Sequence, residues 1–162
     1  MNELNPYGKF LDGRPVHEIL AATPATLAGL VESIGPAKST APPAPGKWSP
    51  AEIISHLADC EVVFAFRLRQ TLAEDGPTIQ PFDQEKWAAQ YGGISATQAL
   101  NVFTAVRGWN LQLLKAVTPQ AAARKVTHPE RGAMTFQTIV ETIAGHDLNH
   151  IGQLQRIASQ NG

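Results

Sequence analysis

His146 and His150 stand four residues apart in the stretch "AGHDLNHIGQ" (144–153), and His56 stands in "IISHLADC" (53–60). On a helix, side chains at i and i+4 have Cβ atoms ~5–6 Å apart, so two imidazoles at that spacing can share one ion. A third imidazole from a facing helix would give a three-nitrogen set. Three neutral histidines leave coordination positions open, which is the arrangement that lets water or substrate complete the shell. Zinc, nickel, iron(II) and cobalt all accept imidazole, so the ligand type alone does not select the metal. Cys60 lies four residues after His56 and is either a fourth ligand or a small buried filler. The residue after His146 is Asp147, so the glutamate base of H-E-x-x-H zinc peptidases is missing. That counts against a peptidase and leaves chemistry in which the metal activates a thiol or water.

These residues need elements that aim them together. Each residue advances a helix by about 100°. With His146 at 0°, His150 falls at about 40°, Ile139 and Ile157 at about 20°, and Phe136 and Leu154 at about 80°. Both histidines therefore lie in the apolar stripe of their helix, with Asp147 at its margin. With His56 at 0°, Cys60 and Ile53 fall at about 40° and 60° and Phe64 at about 80°. His56 therefore also faces inward, and inward imidazoles need partners.

Four segments carry helical periodicity: about Val16 to Ile34, Pro50 to Asp75, Ser95 to Val117, and Thr135 nearly to the end. Pro24 predicts a kink or a late start in the first, with Thr23 as its N-cap. Ser49, Pro50 and Glu52 predict a capping box opening the second, with Trp48 and Ile53 as a hydrophobic staple. Gly35 to Trp48 holds four of the 12 prolines and reads as a connector. The long loop Gly76 to Gly93 is expected to hold a short helical turn, Asp83 to Gln90, and such loops are often functional. His128 to Met134 reads as an ordered turn, and no strand pattern stands out. The expectation is an all-α fold: one domain, residues 1–162, forming a four-helix bundle with a long loop and short helix between helices 2 and 3.

Thirteen Lys and Arg face 14 Asp and Glu, for a net charge of −1. No basic run supports nucleic-acid binding. No apolar run is long enough to span a membrane, and no signal-peptide pattern opens the chain. The single cysteine gives no disulfide framework, and the cytoplasm is the expected location.

"GKWSPAEIISHLADCE" and "AGHDLNHIGQLQRI" together resemble the DinB-like (YfiT-like) metal-binding four-helix family. "NPYGKFLDGR", "PFDQEKWA" and "HPERG" add to the resemblance, which spans nearly the whole chain. It implies a bundle whose second and fourth helices supply His56, His146 and His150 to a divalent ion, zinc or nickel. It implies a homodimer as well. Relatives of this kind include S-transferases that use low-molecular-weight thiols, a mycothiol-dependent maleylpyruvate isomerase, and proteins named as hydrolases.

The implied activity is therefore a metal-dependent thiol S-transferase or hydrolase acting on a small molecule. Its substrate would enter beneath the long loop, with Asp83 or Glu85 as a polar contact and with Phe82, Trp87 and Tyr91 either as its walls or as rings that anchor the loop onto the bundle. Arg67 is either a ligand for an anionic substrate or a snorkelling or ion-paired arginine. Asp59 and Glu61 are expected to face solvent or a partner subunit. His128 is a loop residue, exposed or at the mouth of the site, and His17 carries no functional signal. The alternatives are a non-catalytic metal-binding or sensing module, and a structural dimerisation domain whose histidines form a polar core network.

Overall fold

The structure is a computed structural model that describes residues 4–159. Its frame is four long helices: α1 (Val16–Ile34), α3 (Pro50–Ala73), α5 (Ala96–Lys115) and α7 (Phe136–Ser159). Three short helices lie between them: α2 (Pro36–Ser39), α4 (Gln84–Ala88) and α6 (Pro119–Ala122). α3 packs on α5 and α1 on α7, and α3 meets α7 across the bundle. None of the described helices is long and apolar enough to cross a membrane.

The start of α3 follows its sequence signal. The Ser49 amide donates to Glu52 Oε2 at 2.7 Å, and the Glu52 amide donates to Ser49 Oγ at 3.3 Å. This reciprocal cap is worth about 1 kcal/mol. It also fixes the helical phase that turns His56, Cys60 and Phe64 inward. Ile54, Leu57 and Leu68 of α3 are fully buried, each contributing roughly 1.5–3 kcal/mol of apolar burial.

α1 departs from expectation. It runs unbroken through Pro24, and Thr23 is an interior residue whose hydroxyl donates to the Ile19 carbonyl at 2.8 Å. Proline has no N–H to give the carbonyl four residues back. That carbonyl, Leu20 O, instead accepts from Arg107 Nη1 at 3.1 Å. A side chain from α5 thus replaces the missing backbone donor, and neither a late start nor a cap at Thr23 is needed.

The turn expected at 128–134 is part of a two-stranded antiparallel hairpin, β1 (Lys125–His128) and β2 (Gly132–Thr135), with Val126 opposite Met134. Four residues per strand are too few to show alternation in the sequence. Val126 and His128 nevertheless point inward from β1 and Met134 from β2. The loop after α3 docks on this hairpin: the Thr127 amide donates to the Pro77 carbonyl at 2.9 Å, and the Ile79 amide to the Thr127 carbonyl at 3.0 Å. The hairpin thereby holds one rim of the bundle mouth, with His128 at its tip.

Candidate metal centre

α3 delivers His56, and α7 delivers His146 and His150 one turn apart. All three are buried. His56 Nε2 lies 3.0 Å from His146 Nε2, and His150 Nε2 lies 3.1 Å from His146 Nε2. The three ligand atoms fall within 4.8 Å of one another. Zinc–nitrogen bonds of ~2.0–2.1 Å separate neighbouring ligand nitrogens by about 3–3.4 Å, so the spacing suits one shared cation.

Hydrogen bonding alone does not account for this packing. His150 Nδ1 faces Gln153 Oε1 at 2.9 Å, so Nδ1 carries the proton and Nε2 presents a lone pair. His146 Nε2 touches both neighbours, and a neutral imidazole nitrogen carries at most one proton. The two short contacts can therefore include no more than one well-formed hydrogen bond between them, and the other is left to the weak Cys60 thiol, 3.5 Å from His56 Nε2. A cation at the centre would satisfy all three nitrogens at once, so the residues present fit a divalent ion.

The protonation states agree. Burial, and then the neighbouring His150, lowers the His56 pKa to about 3. Burial, then His150 and His56, holds His146 well below the usual histidine value. Burial also lowers His150, against an opposing pull from the Gln153 hydrogen bond. All three rings are neutral at pH 7, the form that binds metal.

The cluster is enclosed by aromatic rings. The Trp48 ring lies 4.9 Å from that of His56, and the Tyr7 ring meets His146 edge-on at 5.1 Å. Tyr7 gets this close because residue 145 is glycine: a Cβ there would overlap the Tyr7 carbonyl oxygen. Cys60 Sγ lies 3.5 Å from His56 Nε2 and 3.9 Å from His146 Nε2. It does not belong to the convergent set, and burial pushes its thiol pKa up. It is a protonated neighbour of the three nitrogens.

Two spaces reach the imidazoles. A cleft of about 540 Å³ opens beside His150, walled by Trp48, Lys47, Glu85, Gln153 and Arg156. A pocket of about 50 Å³ opens beside His146, lined by residues that include Tyr7, Phe82, His128, Arg67 and Arg131.

The expected substrate walls therefore divide. Phe82 lines the small pocket and Glu85 the cleft. Asp83 caps α4, accepting from the Lys86 amide at 3.1 Å. Trp87 stacks on Phe82 with ring centroids 4.8 Å apart. Tyr91 is buried and donates to Asp59 at 2.8 Å, so Asp59 is engaged within the chain. His128 is buried in the wall of the pocket, and His17 is exposed.

Glu61 is buried, contrary to expectation. It takes a two-pronged contact from Arg107, at 2.9 Å from Nε and 2.7 Å from Nη2, and a hydrogen bond from Asn110 at 2.8 Å. Asp147 is buried too and accepts from Arg107 Nη1 at 2.7 Å. It is not available as a base at the imidazoles. Burial raises the Asp147 pKa, with Arg107 opposing. Burial pulls Arg107 down, but Asp147 and Glu61 more than offset it, and its pKa ends above the ordinary value. Sequence reasoning missed Arg107 because its partners lie 46 and 40 positions away. Gln153 was readable, at i+3 from His150 on the same helix. Tyr7 carried no local signal beyond the glycine that admits it.

The sequence profile of the DinB superfamily matches residues 19–154. A protein of Oceanobacillus iheyensis named "Putative metal-dependent hydrolase OB0782" is 25% identical, with 99% of this chain and 98% of that one covered. The like-named YfiT of Bacillus subtilis is 24% identical, with 90% and 83% covered. The solved structure of YfiT, described as having an unusual four-helix bundle topology, superposes with a TM-score of 0.84. At 23% identity it covers 91% of this chain and 86% of that one.

Proposed function

The chain belongs to the DinB superfamily, and on that premise we propose that it is a metal-dependent enzyme holding a divalent ion through His56, His146 and His150 and acting on a small molecule. The observation that carries the reading is the convergence of three buried, neutral imidazoles whose ligand nitrogens lie within 4.8 Å of one another. Zinc and nickel are the ions proposed. Such an ion supplies Lewis acidity and lowers the pKa of a water or thiol at neutral pH.

The chain's own side chains set up the rest. Gln153 fixes the tautomer of His150, the kind of outer contact that orients a ligand. Trp48, Tyr7 and Phe64 keep bulk water from the nitrogens, which strengthens electrostatic interactions there. Among the described residues beside the cluster, Asp147 is committed to Arg107, and in the metal-free chain burial raises the Cys60 and Tyr7 pKa values. The attacking group therefore comes from solution, as water in a hydrolase or as a low-molecular-weight thiol in an S-transferase. The cleft beside His150 is wide enough for either. The names of the relatives support hydrolysis. We extend the reading to a cytoplasmic protein and to a homodimer, the dimer supported by the exposed Val62 and Phe66 of α3 and Val102 and Trp109 of α5.

Elemental analysis of the purified chain tests the reading. The expected result is about one zinc or nickel per chain, lost in His146→Ala. Turnover of an activated aryl ester without thiol identifies the hydrolase, and thiol-dependent turnover of chlorodinitrobenzene identifies the transferase. A folded chain that takes up neither ion overturns the proposal.

A further inference from the structure

Arg67 is 8% exposed and lines the small pocket beside His146. Its Nη2 donates to the Gln80 carbonyl at 2.7 Å, and its Nε is buried with no partner. None of the ion pairs among the described residues engages it. A buried cation without a counter-charge is costly. The chain's other deeply buried arginine, Arg107, has two carboxylates.

A second cation adds to the imbalance. Arg131, at the hairpin turn, lines the same pocket; burial, and after it Arg131, lowers the pKa of the Arg67 guanidinium. Among the described residues, no aspartate or glutamate lines this pocket. His128 accepts from the Glu130 amide through Nδ1 at 3.2 Å, so its neutral ring carries the proton on Nε2, a further donor in the pocket wall. The volume, about 50 Å³, suits one small charged group and not a whole substrate.

We propose that this pocket is an anion subsite, in which Arg67 and Arg131 hold a carboxylate or phosphate group of the substrate next to the His146 side of the imidazole cluster. The proposal rests on the metal-enzyme reading for its place in catalysis, and on the two guanidinium groups for binding itself. A planar guanidinium fork matches either oxyanion. The substrate class is therefore a small molecule bearing one compact oxyanion near its reacting bond. The rest of the substrate, or the thiol, is left to the larger cleft beside His150.

The test is calorimetric titration of the full chain with acetate and with inorganic phosphate at fixed ionic strength, zinc-loaded and after chelation. Saturable binding of one probe in both states is expected, weakened about tenfold or more in Arg67→Gln. The tighter probe identifies the oxyanion. Arg131→Gln, at a partly exposed turn, is expected to weaken binding as well and serves if Arg67→Gln does not fold. Binding that is absent, or unchanged in both variants, overturns the subsite. Binding seen only with zinc and lost in His150→Ala also overturns it, because the anion then sits on the metal, and it leaves the metal reading standing. Arginine-dependent binding by a chain that takes up neither zinc nor nickel would instead sink the metal reading and keep the subsite.

Discussion

Consecutive residues of α7 enter two different buried polar clusters. Asp147 joins Glu61, Asn110 and Arg107, where donors meet acceptors and no buried side-chain polar atom is left over. His146 joins His56 and His150, where three imidazole nitrogens crowd one point. Arg67, beyond His146, adds a donor with no acceptor. The first cluster is complete within the chain and ties α1, α3, α5 and α7 together. The second is completed only from outside. Burial of polar groups therefore does not by itself mark a functional site. What marks it is burial with a mismatch between donors and acceptors, and the complete cluster next door provides the rigid frame that keeps the mismatch from collapsing.

Breaking the complete cluster is expected to have the largest effect. Arg107→Met leaves two carboxylates and the Leu20 carbonyl without their partner. Removing one member of a buried ion pair costs about 3–5 kcal/mol, which for a domain of this size lowers the melting temperature by roughly 10 °C or more. Thermal unfolding by circular dichroism measures it. A shift of only a degree or two would mean that the cluster does not carry the frame.

His146→Ala reverses the pattern. It relieves the crowded nitrogens, so the metal-free chain is expected to lose less than about 2 kcal/mol. The difference appears with zinc. At free zinc a hundredfold above its dissociation constant, the wild type gains about 2.7 kcal/mol by linkage, and His146→Ala gains nothing. Melting with and without zinc separates the two clusters: equal stabilisation of both proteins would show that zinc binds elsewhere.

The contrast also explains what the sequence could and could not disclose. The long helices were legible because caps and apolar periodicity are local: Ser49 and Glu52 fix the start of α3, and α1 begins and ends where its pattern does. The imidazole cluster was legible because His146 and His150 share a helix face and His56 faces inward on another. The complete cluster was not, because Glu61, Arg107 and Asp147 come from three separate helices and each looks like a surface charge alone. The late start at Pro24 was misread for the same reason, since the donor that replaces its missing bond comes from α5. Arg67 was left between two readings because nothing local decides whether a carboxylate faces it.

Acid separates the clusters further. The three histidines have folded-state pKa values below the unfolded value of about 6.5. Below that pH the unfolded chain takes up protons that the folded chain refuses. Stability of the metal-free protein therefore falls as pH drops through 6.5, and for His56 it keeps falling toward its folded value of about 3. Each imidazole adds up to about 1.4 kcal/mol per pH unit to the slope. His146→Ala is expected to lose one imidazole's share. Denaturant titrations at a series of pH values between 7 and 5 check this. Parallel curves for the two proteins would mean that His146 takes up its proton as readily in the fold as in the unfolded chain.

The smallest expected effect tests whether the open cluster is tuned as well as built. Gln153 accepts from His150 Nδ1 and lies on the wall of the larger cleft. Gln153→Leu keeps the helix and the approximate volume but removes the acceptor. His150 is then free to place its proton on Nε2, and metal binding must first move it. Loss of such an outer contact weakens metal affinity about tenfold, close to 1.4 kcal/mol, while the Arg107 cluster and the metal-free melting temperature stay as they are. Competition against a chromogenic chelator reads the affinity. Gln153→Glu sharpens the result, since a carboxylate accepts the same proton more strongly and is expected to match or exceed the wild type. If leucine and glutamate weaken binding equally, Gln153 acts through packing and not through the tautomer of His150.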